Sequence, residues 1–537
     1  FQSTRINFQF QGVRAIDVKT QQGTFSELML DRGYSIGELG TPKLPADKHL
    51  LDIPFGADVE VEVIKYTATE YRLADFGIHN PLMPVQPSIR KDQDASQIPF
   101  EFKAEAFTKN QFTENPIAHV EILGVMRGVR IARLTIAPVS YNPVDGTIRV
   151  FNDIEVEVKY PGADMALTNH IKSATFSPYF DVVYNSLLNA RGNKDAFDDH
   201  PDLTKNPVKM VVVANRMFEE TLQPYLEWKT QQGFFLTVAY TDEFGTNATA
   251  IKNFIHDQYN AATPDDPAPT FVVLVGDRAR LPESAMGSSS AKVTDLYYAS
   301  VDGDYFPEMY YGRLSAGTVQ QLQNQLDKIL YYEQYEFEDP TYLNDVTLIA
   351  GADGTWNPRV GQPTIHYGTQ NYFNAAHGFD NVNTYLTNYT GCYDNDRISV
   401  SMINYTAHCN ETSWGTPALS VSGVYNFTNT GKYPLAVGNC CLSSNFGYGS
   451  ESIGEAWVRA QNKGGVAYVG SAPSTYWFED FYWSVGAFPI QGTNNGYIPT
   501  ATETSLGAYD APFVSDYVAV GALQFVGNLA VTEVHLQ

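Results

Sequence analysis

The chain has 537 residues, 43% hydrophobic and 13% aromatic, with 60 Asp and Glu against 35 Lys and Arg for a net charge of −25. That much apolar material excludes wholesale disorder, and the length calls for about two to four domains rather than one core. The acidic balance argues against nucleic acid and anionic membrane surfaces, which want basic patches, and no apolar run reaches the roughly eighteen residues of a membrane span.

The first part reads as β. Residues 59–64 and 154–160 alternate with period two, as half-buried antiparallel strands do, and 143–146 (PVDG) supplies turn chemistry between two such runs. Helical periodicity is nearly absent up to about residue 160. The stretch 189–209 is polar, carries Gly192, Asp198, Asp199, Pro201 and Pro207, and reads as an exposed connector of the kind proteases nick. The chain opens at Phe1 without a signal peptide, as a processed product would.

Beyond the connector the pattern alternates. Apolar runs at 208–214, 234–240, 270–276, 346–350, 401–406, 434–437 and 465–470 predict buried strands. A helix is expected near 216–232, and Leu322, Leu326, Ile329 and Leu330 share one helical face. Near-continuous apolar strands separated by helices imply a mainly parallel sheet covered on both faces.

In such sheets, ligands bind beyond the carboxyl ends of the strands. Four strand ends here carry reactive groups: Asp353, His408, the Cys440-Cys441 pair, and Trp477 with Asp480. A thiolate needs a nearby base, and the base needs an orienting partner. Cys441, His408 and Asp353 offer that set. Adjacent residues leaving a strand point to opposite sides, so only one cysteine of the pair can face His408. Gly438 permits a close backbone approach, and amides near His408 and Cys441 would supply an oxyanion hole. Taken singly, each residue has a plainer reading: a small buried cysteine, a structural histidine. Four cysteines make no disulfide framework, and without CxxC pairs or HExxH a zinc site is not expected.

Around these residues the segments NYTAHCNETSW (404–414), AVGNCCLSSNF (436–446), the run 454–487 and TDLYYASVDGDYFPEMY (294–310) stand out, with GADGTWNPRVGQPTIHYG (351–368), KMVVVAN (209–215) and MRGVRIARLTIAPV (126–139). Together they resemble the gingipain family of cysteine peptidases, specifically the lysine-specific gingipains, over nearly the whole chain. The resemblance implies an α/β caspase-like catalytic domain preceded by an all-β prodomain. The prodomain would span 1–194 and end in a processing linker. The peptidase domain would span 195–537, with a subdomain boundary near 340.

Carried over residue by residue, the resemblance makes Cys441 the nucleophile, His408 the base and Asp353 its orienting acid. The amides of Cys409 and Cys441 fall at the oxyanion position. Asp480, beside Trp477, becomes the acid of a lysine pocket lined by Thr406, Asn439 and Tyr476. The resemblance also implies structural calcium at Asp302, Asp304, Phe306 and Glu308 with Asp277, and a second site through Phe446 and Glu455. Read alone, the DGD turn is a plain hairpin. One departure stands out: the family has Gly directly after the catalytic His, and this chain has Cys409. If φ > 0 is required there, a side chain costs about 1 kcal/mol. That leaves open a reshaped hole, a thiol serving as a redox handle, or a silent site.

In the front part, QPSIRK (86–91) is similar to the propeptide segment whose lysine plugs the specificity pocket, so the resemblance makes Lys91 a substrate mimic. Without it, Lys91 is a solvated residue in a polar loop. Lys194-Asp195 aligns with the processing junction, and Arg191 offers a second cut nearby. The expected function is therefore a bacterial, secreted or cell-surface cysteine endopeptidase zymogen cleaving after Lys. Its partners would be protein and peptide substrates and its own prodomain. An arginine-specific or dual peptidase of the same fold, or a catalytically silent surface binding protein, stands as the alternative.

Overall fold

The structure, a computed structural model, describes residues 3–32, 34–189, 207–286, 293–489 and 497–535. The front part is antiparallel. Strands β1 (Ser3–Phe8), β2 (Arg14–Thr20), β3 (Gly23–Met29), β4 (Tyr34–Ile36), β5 (Leu44–Ile53), β6 (Glu60–Arg72), β7 (Ala118–Met126), β8 (Val129–Ile136), β9 (Val139–Asn142) and β10 (Thr147–Lys159) form two four-stranded sheets and the β2–β3 hairpin. One sheet runs β1-β10-β6 with β9 on β10; the other runs β4-β5-β8-β7. The alternation legible in β10 explains the sandwich. Ile154, Val156 and Val158 are buried against Leu51, Ile53, Leu134 and Ile136, while Glu155 and Glu157 stay partly exposed. Two helices, Met165–Thr175 and Asp181–Tyr184, then follow in a stretch that no sequence pattern had marked. Asp164 caps the first by accepting from the Leu167 N–H at 2.8 Å.

Behind the connector lie two parallel sheets. The first orders its strands Phe235–Tyr240, Lys209–Ala214, Phe271–Val275, Tyr310–Leu314. The second orders them Asn381–Tyr385, Asp345–Ala350, Met402–Thr406, Leu435–Asn439, Ala467–Gly470. Successive residues of these apolar strands feed two different cores. Val346, Leu348, Ala350, Met402 and Val437 pack on one face; Ile349, Ile403, Tyr405 and Ala436 pack on the other. Both faces are covered, which is why the runs read as continuously apolar. Among the described residues no helix is long and apolar enough to cross a membrane.

The front and back parts share a core. Leu50, Met126, Val129 and Ile131 pack with Phe306, Tyr310, Leu523, Phe525, Val526 and Leu529, the last four on the helix Val520–Val534. At the β7–β8 turn the buried Arg127 donates to the back-part carbonyls of Ala268 (2.8 Å), Glu308 (3.2 Å) and Pro269, and lies over the rings of Phe180 and Tyr259. Lys48 donates to the Val534 carbonyl at 3.0 Å and Arg133 to that of Thr532 at 2.8 Å, satisfying acceptors that the end of that helix leaves unpaired.

Candidate active site

Three neighbouring strands of the second sheet end at the residues singled out from the sequence. Thr406 is in register with Ala350 on one side and Asn439 on the other, so Asp353, His408 and Cys441 leave the same edge. His408 Nε2 lies 3.0 Å from Asp353 Oδ2. The other Asp353 oxygen accepts the N–H groups of Thr355 (2.8 Å) and Trp356 (2.7 Å). Burial pushes this carboxyl up, but those donors and His408 outweigh it, and the net shift is below the usual carboxylate range. The imidazole stands edge-on to Trp477 at 4.9 Å, and Trp477 stacks on Trp356 at 5.4 Å. With Nε2 held by the carboxylate, Nδ1 is the nitrogen left for a nucleophile's proton.

The turn that carries Cys441 is tight. A Cβ on Gly438 would collide with the Tyr468 hydroxyl, so glycine is required there by close approach. Leu442, directly after Cys441, has φ of +62°. A leucine in that region costs about 1–2 kcal/mol, and its N–H donates to the Pro473 carbonyl at 3.0 Å. The two cysteines leave the strand on opposite sides. Cys440 packs into the core beneath the sheet, while Cys441 Sγ accepts the Thr475 N–H at 3.3 Å in the cleft. Burial pushes the Cys441 thiol up, and the Thr475 N–H and the Lys91 ammonium oppose it. No hydrogen bond joins Cys441 to His408 among the described residues.

Cys409 is not a free thiol. It is disulfide-bonded to Cys440, with Cα atoms 5.4 Å apart. This corrects the sequence reading, in which four cysteines carried no disulfide and Cys409 was a lone departure. The two lie 31 positions apart, and nothing in that spacing shows that adjacent strand ends bring them together. Cys392 and Cys441 are the free cysteines, both buried.

Beside Cys441 lies an acidic pocket, and Lys91 fills it. Its Nζ sits 2.5 Å from Asp480 Oδ2, 3.0 Å from the Asn439 carbonyl and 5.0 Å from the centre of the Trp477 ring. The Lys91 side chain is 0% exposed and that of Asp480 10%, so this is a desolvated pair. The segment pairs with the pocket wall as an antiparallel strand. The Lys91 N–H donates to the Thr475 carbonyl at 2.8 Å, the Trp477 N–H donates to that of Ile89 at 3.2 Å, and Arg90 sits opposite Tyr476. Thr475 Oγ1 donates to Asp480 Oδ2 at 2.7 Å, and the Asn439 amide donates to the Asp480 carbonyl and Ser484 Oγ at 3.0 and 2.8 Å. Thr406 is buried at its strand end, and Tyr476 is partly exposed. Thr475, Ser484 and Leu442 were not legible in the sequence. Thr475 works largely through its backbone, which leaves no residue-type signal.

The acidic loop 302–308 is gathered at the opposite end of the first sheet. Burial pushes Glu308 up to about 9, with Asp302 and Asp304 adding to it, and burial raises both aspartates as well. Glu308 Oε2 accepts the Val301 N–H at 2.6 Å, while its Oε1 is buried without a hydrogen-bond partner among the described residues. Asp304 Oδ2 accepts the N–H of Val125 in β7 at 2.9 Å. Asp277 is not part of this group. Phe271 pairs with Tyr310 at one edge and Val275 with Leu314 at the other, and Asp277 follows that second edge. Glu455 spends its oxygens on Arg459 (2.7 Å), Ser315 Oγ (2.7 Å) and the Ser452 N–H (2.9 Å), and Phe446 lies under the Arg313 guanidinium. Among the described residues no three His, Cys, Asp or Glu side chains converge on one cation position. Lys194 and Asp195 lie outside the described residues.

The chain is similar to known proteins over nearly its whole length. Residues 203–525 match Peptidase family C25, and residues 2–187 match the propeptide of that family. A Lys-gingipain of Porphyromonas gingivalis is 45% identical over 536 residues, which is 99% of this chain and 30% of that protein. A solved protease structure is 49% identical with a TM-score of 0.59, covering 62% of this chain and 74% of the other. The crystal structure of the Arg-specific cysteine proteinase gingipain R shares the fold at 22% identity and a TM-score of 0.50, with the same coverage of 62% and 74%.

Proposed function

Because the chain belongs to peptidase family C25, as the match over residues 203–525 shows, we propose that it is a latent cysteine endopeptidase that cleaves after lysine. Cys441 attacks the carbonyl carbon of the bond to be cut. His408 takes the thiol proton and returns it to the leaving amine. Asp353 holds the imidazole and stabilises its protonated form. The amides of Cys409 and Cys441 bind the oxyanion, and water then cleaves the thioester.

The observation that carries this reading is Lys91 in the Asp480 pocket, 2.5 Å from the carboxylate and beside the nucleophile. A substrate lysine would enter the same way. The ammonium finds one carboxylate oxygen, one carbonyl and an aromatic face. Those partners suit a compact point charge, whereas a guanidinium wants a planar fork of acceptors. Held by Lys91 and by the shared core, the front part acts as an intramolecular inhibitor.

The test is hydrolysis of matched Lys and Arg amides. The unprocessed Lys91→Ala chain should hydrolyse the Lys amide faster than the wild-type chain, since the pocket would be emptied and its carboxylate left unpaired in the latent state. Arg90→Ala, whose guanidinium bonds the exposed Asp92 at 2.9 Å, should stay latent. Equal rates on Lys and Arg amides would reassign the specificity, and no hydrolysis after processing would favour a silent binding protein.

We also infer a structural calcium held by the 302–308 loop, on which Asp302, Asp304, Glu308 and the Phe306 carbonyl would have to draw together, since the carboxylates do not converge as they stand. The unpartnered Glu308 oxygen supports this, since a cation would supply the missing partner and cancel the crowding of like charges. Chelation should then lower the melting temperature by several degrees, with calcium restoring it and magnesium failing to; an unchanged melt would remove the site. Action outside the bacterial cell is the reading that the disulfide supports, because such bonds persist in oxidising surroundings.

A further inference from the structure

The disulfide joins the residue after the base to the residue before the nucleophile. Beyond the register pair Thr406 and Asn439, no backbone hydrogen bond ties residues 407–409 to 440–442 among the described residues. The His408 loop is anchored on its far side, where the His408 carbonyl accepts from the Gly415 N–H at 2.9 Å and the Tyr405 hydroxyl at 3.0 Å. Toward Cys441 the covalent bridge is the direct link among the described residues; the next tie is two residues on, where the Ile453 N–H donates to the Glu411 carbonyl at 2.7 Å.

We propose that Cys409 and Cys440 are positioning residues, whose disulfide clamps the two oxyanion-binding amides near one another. The inference rests on the peptidase reading above. The Cys409 nitrogen is one bond from a bridged Cα, and the Cys441 nitrogen is two bonds from the other. With those Cα atoms held 5.4 Å apart, the range over which the two N–H groups can separate is narrowed. A glycine after the base would leave that spacing to the backbone; here a covalent link restrains it. The working enzyme therefore needs a mixed redox state, with Cys441 as a thiol and its neighbour Cys440 oxidised. A dithiol reductant would place one hydrogen on each of the Cys409 and Cys440 sulfurs and leave as its own cyclic disulfide. That opens the clamp while Cys441 stays reduced.

Because oxyanion donors act on the transition state, loss of the clamp should lower kcat and spare KM. Complete loss of one donor costs about 10²–10³ in kcat, so a misplaced donor should cost about tenfold. The processed protein is compared with its Cys409→Gly/Cys440→Ala variant on a Lys amide, with iodoacetamide alkylation of Cys441 followed in parallel. Alkylation reports the thiolate and needs no oxyanion hole. The expected result is a tenfold fall in kcat, with KM, the alkylation rate and its pH profile unchanged. A kcat equal to wild type would overturn the clamp alone, as would a parallel fall in alkylation, which marks general damage. A wild-type protein that hydrolyses no Lys amide would sink the peptidase reading and the clamp with it. A second measurement needs no variant. The denatured chain should take up maleimide at two cysteines before reduction and at all four after. During graded dithiol treatment of the native protein, kcat should fall as the second pair appears and recover on reoxidation. Four reactive thiols in the untreated chain would remove the premise.

Discussion

Cys441→Ala abolishes peptide-bond hydrolysis in the processed protein, with kcat on a Lys amide falling on the order of 10⁴-fold or more, as loss of a catalytic nucleophile does. Cys440 cannot substitute for it. Its sulfur lies in the core, bonded to Cys409. The variant should still fold and remain latent. It loses one sulfur atom and that sulfur's contacts with Thr475, to the N–H at 3.3 Å and to the carbonyl and hydroxyl at 3.8 Å, and the Lys91–Asp480 pair does not depend on it. Active-site titration beside a thermal melt checks both halves. Activity above a few per cent of wild type with an unchanged melt would move the nucleophile elsewhere.

Asp480→Asn acts on both faces of the pocket. For Lys substrates the transition state rises by roughly 2–5 kcal/mol, because a desolvated ammonium loses its countercharge. That is a fall in kcat/KM of about thirtyfold at the least. Uncharged side chains at the cleaved position should be affected far less. The same change removes the partner of Lys91, so the unprocessed variant should also hold its prodomain less tightly. Measuring substrate turnover and latency on one variant separates a pocket residue from a merely structural acid. Structural damage would depress every substrate alike, and near wild-type turnover of the Lys amide would exclude Asp480 from recognition.

Much of this was legible because strand ends are where a parallel sheet displays chemistry. The apolar runs before Asp353, His408 and Cys441 located three groups on one edge without any coordinates, and the motifs then supplied their roles. Period-two alternation likewise exposed β6 and β10. What escaped was mostly what acts through backbone or through folding, together with the hydroxyls of Ser484 and Thr475 that meet Asn439 and Asp480. Thr475 meets Lys91 and Cys441 through its carbonyl and N–H, and Leu442 matters for its φ of +62° rather than its side chain. The Cys409–Cys440 bond needs the strand order, which pairs Met402–Thr406 with Leu435–Asn439. Asp277 erred in the other direction. The family resemblance grouped it with the 302–308 loop, while the parallel register puts the two at opposite ends of the strands.

The core shared between the two parts bears on how latency ends. While the chain is whole, the inhibitor is tethered, and its effective concentration is on the order of millimolar whatever the protein's abundance. One cut in the connector removes that guarantee yet breaks none of the contacts made by Leu50, Met126, Val129, Ile131, Arg127 and Lys91. Inhibition then becomes an ordinary bimolecular equilibrium. On the zymogen reading proposed above, a freshly cut molecule in a confined volume should stay silent and should wake when its surroundings dilute it below the dissociation constant of its own fragment. Onset of activity is thereby tied to dispersal, and its lag should lengthen with the amount of enzyme present.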